Sequence, residues 1–323
     1  MKLMDTKRRL GATLLAAAAL MASAANAPAQ APAGTLRIGY QKYGTLILLK
    51  ARGTLEKRLA VQGIAVRWTE FPAGPQLLEG LNVGSIDFGT VGEAPPIFAQ
   101  AAGANLVYIG NEPPSPAAEA IIVPASSPIT SVAGLKGKRV VLNKGANAHY
   151  LLVRALEHAG VRYQDIQTVF LPPADARAAF ERGSVDAWAI WDPFLAAAQG
   201  QLGARVLTDG TGIVKNHQFY LAARPYAQSH ADVIKAILEE LAKVDDWGRS
   251  NPHEVAAALA PQVGLDVAIT EVAARRYSFG VVPISDAVLG EQQRIADVFS
   301  DLKLIPAPIR VRDATLTEPT ARR

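Results

Sequence analysis

Four short stretches of this chain join an apolar run to a helix-forming run through a polar loop. They are Gly39-Tyr40-Gln41-Lys42-Tyr43-Gly44, Thr90-Val91-Gly92-Glu93-Ala94-Pro95-Pro96, Asn143-Lys144-Gly145-Ala146-Asn147 and Trp191-Asp192-Pro193. In open α/β sheets small ligands sit outside the carboxyl ends of the strands, and free N–H groups at a helix start suit an anion. Gln41 offers two donors and no charge, so it can meet an anion without the desolvation cost of an ion pair. Asn147 opens a helix-forming run, and its amide either donates to a ligand or caps that helix. His149 can face an anion when protonated, donate one hydrogen bond when neutral, or pack at the rim of the site. Glu93 would repel a bound anion, so it either satisfies N–H groups at a helix start or takes a positive group on a ligand tail. Asp192 before Pro193 reads first as a helix cap, with an acceptor role as the alternative. Trp188, Ile190 and Trp191 lie along one strand; an indole can floor a site, and Trp188 reads equally well as core.

These loops contain no nucleophile–base set. The chain has no Gly-x-Ser-x-Gly elbow and no His-Glu-x-x-His helix, and its cysteine count is zero. No second histidine or carboxylate stands beside His149 at metal spacing. The residues read as a grip rather than a catalyst, and no cofactor or metal is expected.

The elements that must position these loops follow a basic, apolar, small-residue leader. Lys2, Lys7, Arg8 and Arg9 precede an apolar core at residues 10–21 and Ala-x-Ala options up to Ala27. That is the pattern of a cleavable secretion signal over residues 1–27, too short in its core to span a bilayer. The leader supplies +3 of the formal +4, with Asp5 counted, so the rest of the 323-residue chain is nearly neutral. No basic stripe remains, which excludes nucleic-acid binding by phosphate neutralisation. Without cysteine there is no disulfide framework, no thiolate zinc site and no lipidated amino terminus.

Strands are predicted at 36–40, 64–71, 86–90, 106–109, 120–123, 140–142, 169–171, 185–191, 206–207 and 219–221, alternating with helices, the first of them at 45–59. From residue 229 onward the periodicity is helical. The order implies two α/β lobes, residues 35–123 plus 222–323 and residues 124–221, joined by extended crossings near 120–123 and 219–222 and able to close by hinge bending.

Further stretches sharpen this picture: Glu70-Phe71-Pro72-Ala73-Gly74-Pro75-Gln76, Leu81-Asn82-Val83-Gly84-Ser85-Ile86-Asp87, Lys144-Gly145-Ala146-Asn147-Ala148-His149 and Val185-Asp186-Ala187-Trp188-Ala189-Ile190-Trp191-Asp192-Pro193. With Gly39-Tyr40-Gln41-Lys42 and the run from Glu93 to Gly103, their joint order resembles the aliphatic sulfonate-binding proteins of ABC importers over residues 36–308. Importers for taurine, nitrate and thiamine precursors share parts of the pattern. The resemblance implies a type II periplasmic binding protein, α/β and two-lobed, each lobe a mixed sheet flanked by helices, with the ligand cleft between them. It implies a soluble periplasmic monomer that captures an alkanesulfonate and delivers it to a permease and its ATPase subunit for sulfur acquisition. By matched position it places ligand contacts at Gln41, Gly44, Thr90, Gly92, Glu93, Ala94, Asn143, Gly145, Ala146, Asn147, His149, Trp191 and Asp192. Asn143 departs from the Gln that relatives can carry, and residues 214–218 depart from the pattern. The alternatives are a taurine- or nitrate-binding protein, a sensor subunit without a permease, and an enzyme acting on sulfonates or sulfate esters.

Overall fold

The computed structural model describes residues 34–316; the predicted leader at residues 1–27 lies outside them. Two five-stranded mixed sheets form the frame. In the first, β1 (Gly34–Tyr40) lies between β2 (Ile64–Glu70) and β3 (Phe88–Gly92), both parallel to it. Strand β10 (Gln218–Ala223) returns antiparallel between β3 and β4 (Leu106–Asn111). The second sheet repeats the plan. Its β6 (Arg139–Leu142) lies between β7 (Gln167–Phe170) and β8 (Ala187–Trp191), both parallel. Strand β5 (Glu119–Val123) then runs antiparallel between β8 and β9 (Arg205–Asp209). Strands β3 and β5 are buried along their whole length, as strands covered on both faces must be.

The helix predicted over 45–59 is two helices, α1 (Gly44–Arg52) and α2 (Thr54–Ala60). Gly53 breaks it: at φ 61° its N–H turns back to the carbonyls of Leu49 and Lys50, a left-handed stop that glycine adopts without penalty. Helices α3 (Gly74–Asn82) and α4 (Pro95–Ala101) complete the first half; α5 (Asn147–His158), α6 (Pro173–Glu181) and α7 (Phe194–Leu202) flank the second sheet. The remaining α-helices are α8 (Arg224–Ser229), α9 (Ala231–Ser250), α10 (Pro252–Val263), α11 (Val267–Arg276) and α12 (Asp286–Asp301). Helix α9 packs on α1 and α2, α10 on α1, and α11 on both α10 and α7. The C-terminal helices therefore touch both halves.

Residues 120–123 and 219–222 are not the crossings that the sequence implies. The first stretch is a strand of the second sheet and the second a strand of the first. Both are apolar throughout, and a strand buried on both faces carries no mark of which sheet takes it. The chain crosses instead at residues 112–118 and 210–217. These run side by side, with Ser115 N–H donating to the Lys215 carbonyl at 3.1 Å and Gly210 N–H to that of Pro116 at 3.0 Å. No single helix among the described residues is long and apolar enough to cross a membrane.

Candidate functional site

Four helices start at one point between the sheets, among them α4 at Pro95. Helix α1 begins after Tyr43, α3 at Gly74 and α5 at Asn147, and these residues line a single cavity of about 20 Å³, room for a water-sized group. Their first N–H groups have no partner inside their own helices, and the helix dipoles add positive potential there. The other walls are Gln41, Gly92, Pro95, Ala146, Trp191, Asn216 and Gln218. None of the lining residues carries a charge.

The polar side chains of this cavity form one chain of hydrogen bonds. Gln41 Nε2 donates to the Thr90 carbonyl at 3.0 Å and to the Tyr43 hydroxyl at 3.4 Å. Tyr43 donates to Gln218 Oε1 at 2.6 Å, and Gln218 Nε2 reaches Asn216 Oδ1 at 3.4 Å. Asn147 Nδ2 donates to the same oxygen at 2.5 Å, while its Oδ1 accepts the Ala94 N–H at 3.2 Å. Asn147 thus ties the second half to the first half and to a crossing, and it does not cap its own helix, where Ala146 holds the cap position. Asn216 sits at φ 54°, a left-handed conformation that asparagine tolerates better than most residues. Its Nδ2 is anchored on the Ser115 carbonyl at 2.8 Å. Gly92 has to be glycine: a Cβ there would lie 2.0 Å from Asn147 Oδ1.

The predicted ligand residues separate into groups. Gln41, Gly92, Ala146, Asn147 and Trp191 line the cavity. Thr90 and Ala94 support it through their backbone bonds to Gln41 and Asn147. Gly44 and Asp192 line an adjoining space. Asp192 does cap a helix, accepting the Ala196 N–H at 2.9 Å, and it also meets Arg276 at 3.3 Å. Burial lifts its carboxyl to about 6 against the pull of that guanidinium.

The remaining four predicted residues have other roles. His149 is fully buried, with its ring against Phe98, Phe299 and Tyr163. Its Nδ1 accepts the Gly145 N–H at 3.1 Å, which leaves Nε2 to carry the proton toward the Tyr163 hydroxyl at 2.7 Å. Burial, aided by Lys144, lowers its pKa to about 3, so it is a neutral core histidine rather than an anion contact. Gly145 serves this ring, at φ +75° with Phe98 3.2 Å from where a Cβ would be. Asn143 is buried, its Oδ1 has no partner, and its carbonyl accepts the Ala146 N–H. Glu93 points behind the cavity, where its Oε2 accepts the His217 N–H at 3.0 Å and the Asn216 N–H. Burial raises it to about 7. Glu119, at the start of β5, is buried with neither carboxylate oxygen bonded, and burial beside Glu93 holds its pKa well above the usual range.

Sequence reasoning missed Tyr43, Gly74, Pro95, Asn216 and Gln218. Tyr43, Gly74 and Pro95 lie inside stretches already singled out, and their places at or beside helix starts were the available signal. Asn216 and Gln218 lie in a crossing and at the start of an antiparallel return strand, where no periodicity marks them.

Comparison with known proteins gives a consistent picture. Residues 59–255 match the family described as NMT1/THI5 like. A relative from Escherichia coli (strain K12), named "Putative aliphatic sulfonates-binding protein", is 49% identical over 86% of this chain and 87% of its own length. The alkanesulfonate-binding protein SsuA from Xanthomonas axonopodis pv. citri, solved bound to MOPS, superposes with a TM-score of 0.83 at 42% identity, covering 87% of this chain and 98% of that one. The periplasmic aliphatic sulphonate binding protein SsuA from Escherichia coli gives 0.79 at 46% identity, covering 90% and 94%. With a two-sheet frame that superposes on these structures and the family's match across more than half its length, this chain belongs to the NMT1/THI5-like family.

Proposed function

We propose that this protein is the substrate-binding component of an ABC importer and captures aliphatic sulfonates in the periplasm for a membrane permease and its ATPase. The observation that carries the reading is the cavity itself, where helix starts, four carboxamides and a phenol converge with no charged side chain in the wall. A sulfonate is a monoanion with three acceptor oxygens. Uncharged N–H and O–H donors satisfy those oxygens without burying a counter-ion. The named relatives bind sulfonates, and the cavity lining carries none of the groups that bond-making chemistry needs, so the protein holds its ligand and does not transform it.

Two features narrow the ligand. Glu93 follows Gly92 directly and Glu119 lies behind it, and neither supplies positive charge, so the second charge of a dianion in the cavity would stay uncompensated. That disfavours sulfate against a sulfonate. The donors that would meet the ligand now bond one another across the halves, so they exchange partners on binding rather than lose them. Lobes of residues 34–111 with 218–316, and of 119–209, would hinge at the paired crossings, the same contacts closing over the ligand. Residues 1–27 would direct the chain to the periplasm, and a monomer suffices because one chain supplies every wall of the cavity.

Calorimetric titration and thermal shift with methanesulfonate, ethanesulfonate, taurine, nitrate and sulfate test the reading. Alkanesulfonates are expected to bind and to raise the melting temperature in proportion to ligand occupancy, with sulfate inert. A response to nitrate and to no sulfonate would move the protein to a sister specificity.

A further inference from the structure

Past Tyr43 and Trp191 the head-group cavity leads to a second space of about 50 Å³. The two share Tyr43, Trp191, Asn216 and Gln218. Apart from Thr270 the far wall is apolar: Val255, Leu259 and Val263 of α10, and Ala273 and Ala274 of α11 with Tyr277 just after it. Asp192 at the rim is already engaged by the Ala196 N–H and by Arg276. Protein interiors are packed closely enough that apolar space left open beside a polar cavity is characteristic of a ligand pocket. Gly44 helps to keep it open, since a Cβ at that position would lie 3.2 Å from the Tyr277 hydroxyl.

The composition of the wall supports the same point. Helices α10 and α11 are apolar enough, taken together, to pass for a membrane span, yet they bend by 117° and pack within the body. Part of their apolar surface is turned to this chamber rather than to another element.

Building on the sulfonate reading above, we propose that the chamber receives the ligand's tail, an uncharged and unbranched alkyl chain of a few carbons, and that α10 and α11 set the tail preference. The other space beside the head-group cavity is the cleft mouth of about 210 Å³, between Glu70–Pro72 loop residues and Pro172, Pro173 and Ala174. Lys42 lines both the chamber and the mouth, but the mouth shares neither Asn216 nor Gln218 with the head-group cavity, whereas the chamber shares both. A tail that leaves the Asn216 and Gln218 amides therefore enters the chamber directly.

The test is a titration of the unbranched series from methane- to octanesulfonate against the wild type, Ala273→Leu, Val263→Phe and, at the mouth, Ala174→Trp. Each methylene that enters the chamber should tighten wild-type binding by about fourfold, levelling off once the chamber is full. Ala273→Leu and Val263→Phe should each raise the ratio of pentane- to methanesulfonate dissociation constants at least tenfold, and Ala174→Trp should leave that ratio within twofold. A flat wild-type series overturns the tail assignment, as does a ratio that responds to Ala174→Trp and not to the chamber variants. Those results leave the head-group reading standing, because methanesulfonate still binds. A wild type that binds no sulfonate at all removes both. Two chamber variants on different helices guard against the misfolding of either one.

Discussion

The centre of the cleft and the layer just behind it are both buried and both polar, yet they are built from opposite chemistry. In the centre, Gln41, Tyr43, Gln218, Asn216 and Asn147 bond one another in sequence. Behind it stand Glu93 and Glu119, with three carboxylate oxygens between them that have no partner. A second acidic pair lies deeper in the first half, where Glu112 and Asp245 share the Thr45 hydroxyl and burial raises both above the usual carboxylate range. Amides are donor and acceptor at once, so they satisfy each other while the site waits and change partner when an anion arrives. Carboxylates only accept, and burying them without donors drives them toward the protonated form. On the proposed function, a grip on an anion would need no fixed positive charge, and burial of Glu93 and Glu119 favours their protonated forms beside it.

The contrast can be broken most severely at Gly92. Gly92→Ala puts a methyl group into the Asn147 amide, so the two halves cannot meet as they do. Sulfonate affinity should fall about a thousandfold, on the order of 4 kcal/mol, with the far-ultraviolet circular dichroism of the free protein unchanged. Retained tight binding in calorimetry would show that Asn147 does not close on the ligand.

The acid layer is probed next by Glu93→Gln. Glu93 has a folded pKa near 7, raised from its ordinary value by burial. A raised carboxyl contributes stability that is complete below the unfolded value and is lost as pH rises through about 7. The wild-type melting temperature should decline from pH 5 to pH 8, and the Gln variant should flatten that slope by on the order of 3 kcal/mol at its upper end. Identical slopes in the two proteins would mean that Glu93 is not the titrating group. His149 acts in the opposite sense, since a histidine held neutral to about 3 costs stability only as pH falls below its ordinary value.

A smaller effect is expected from Asn147→Ala, which removes one member of the amide chain and leaves the Ala94 N–H without its acceptor. Binding should weaken by about tenfold, or about 1–2 kcal/mol, and Asn147→Asp should do worse by adding a charge of the wrong sign. Equal affinity in wild type and Asn147→Ala would take this residue out of the grip. The smallest effect belongs to Lys42→Ala at the rim, where the partly exposed pair with Glu70 is screened. Its dissociation constant should change less than threefold at low salt and not measurably at high salt.

Much of the frame was legible in the sequence because its signals are local. Glycine and proline end and begin elements through their own backbone limits, so the four strand–loop–helix junctions could be located, and Gln41, Gly92, Ala146, Asn147 and Trp191 among them reach the cavity. Gly53 shows the limit of reading periodicity alone, since a helical pattern running through 45–59 hid a left-handed break. The fates of His149 and Asn216 were not local at all. His149 follows Asn147 by two positions on the same helix, yet a helix turns its side chains by about 100° per residue, which carries the imidazole into the aromatic core.

The amino-acid order by itself determined the leader pattern, the near-neutral body, the lack of thiol chemistry, the alternation of strands and helices, and the loops that reach the cavity. Those properties depend on residue type and near neighbours. Only the tertiary structure decided which sheet takes β5 and β10, that Asn216 from a crossing and Gln218 at the start of β10 complete the cavity, that Glu93 and Glu119 lie close together behind it, and that α10 and α11 wall a chamber beside it. Each of these joins residues far apart in the chain, and such contacts are set by how apolar faces pack together rather than by any pattern within a single segment.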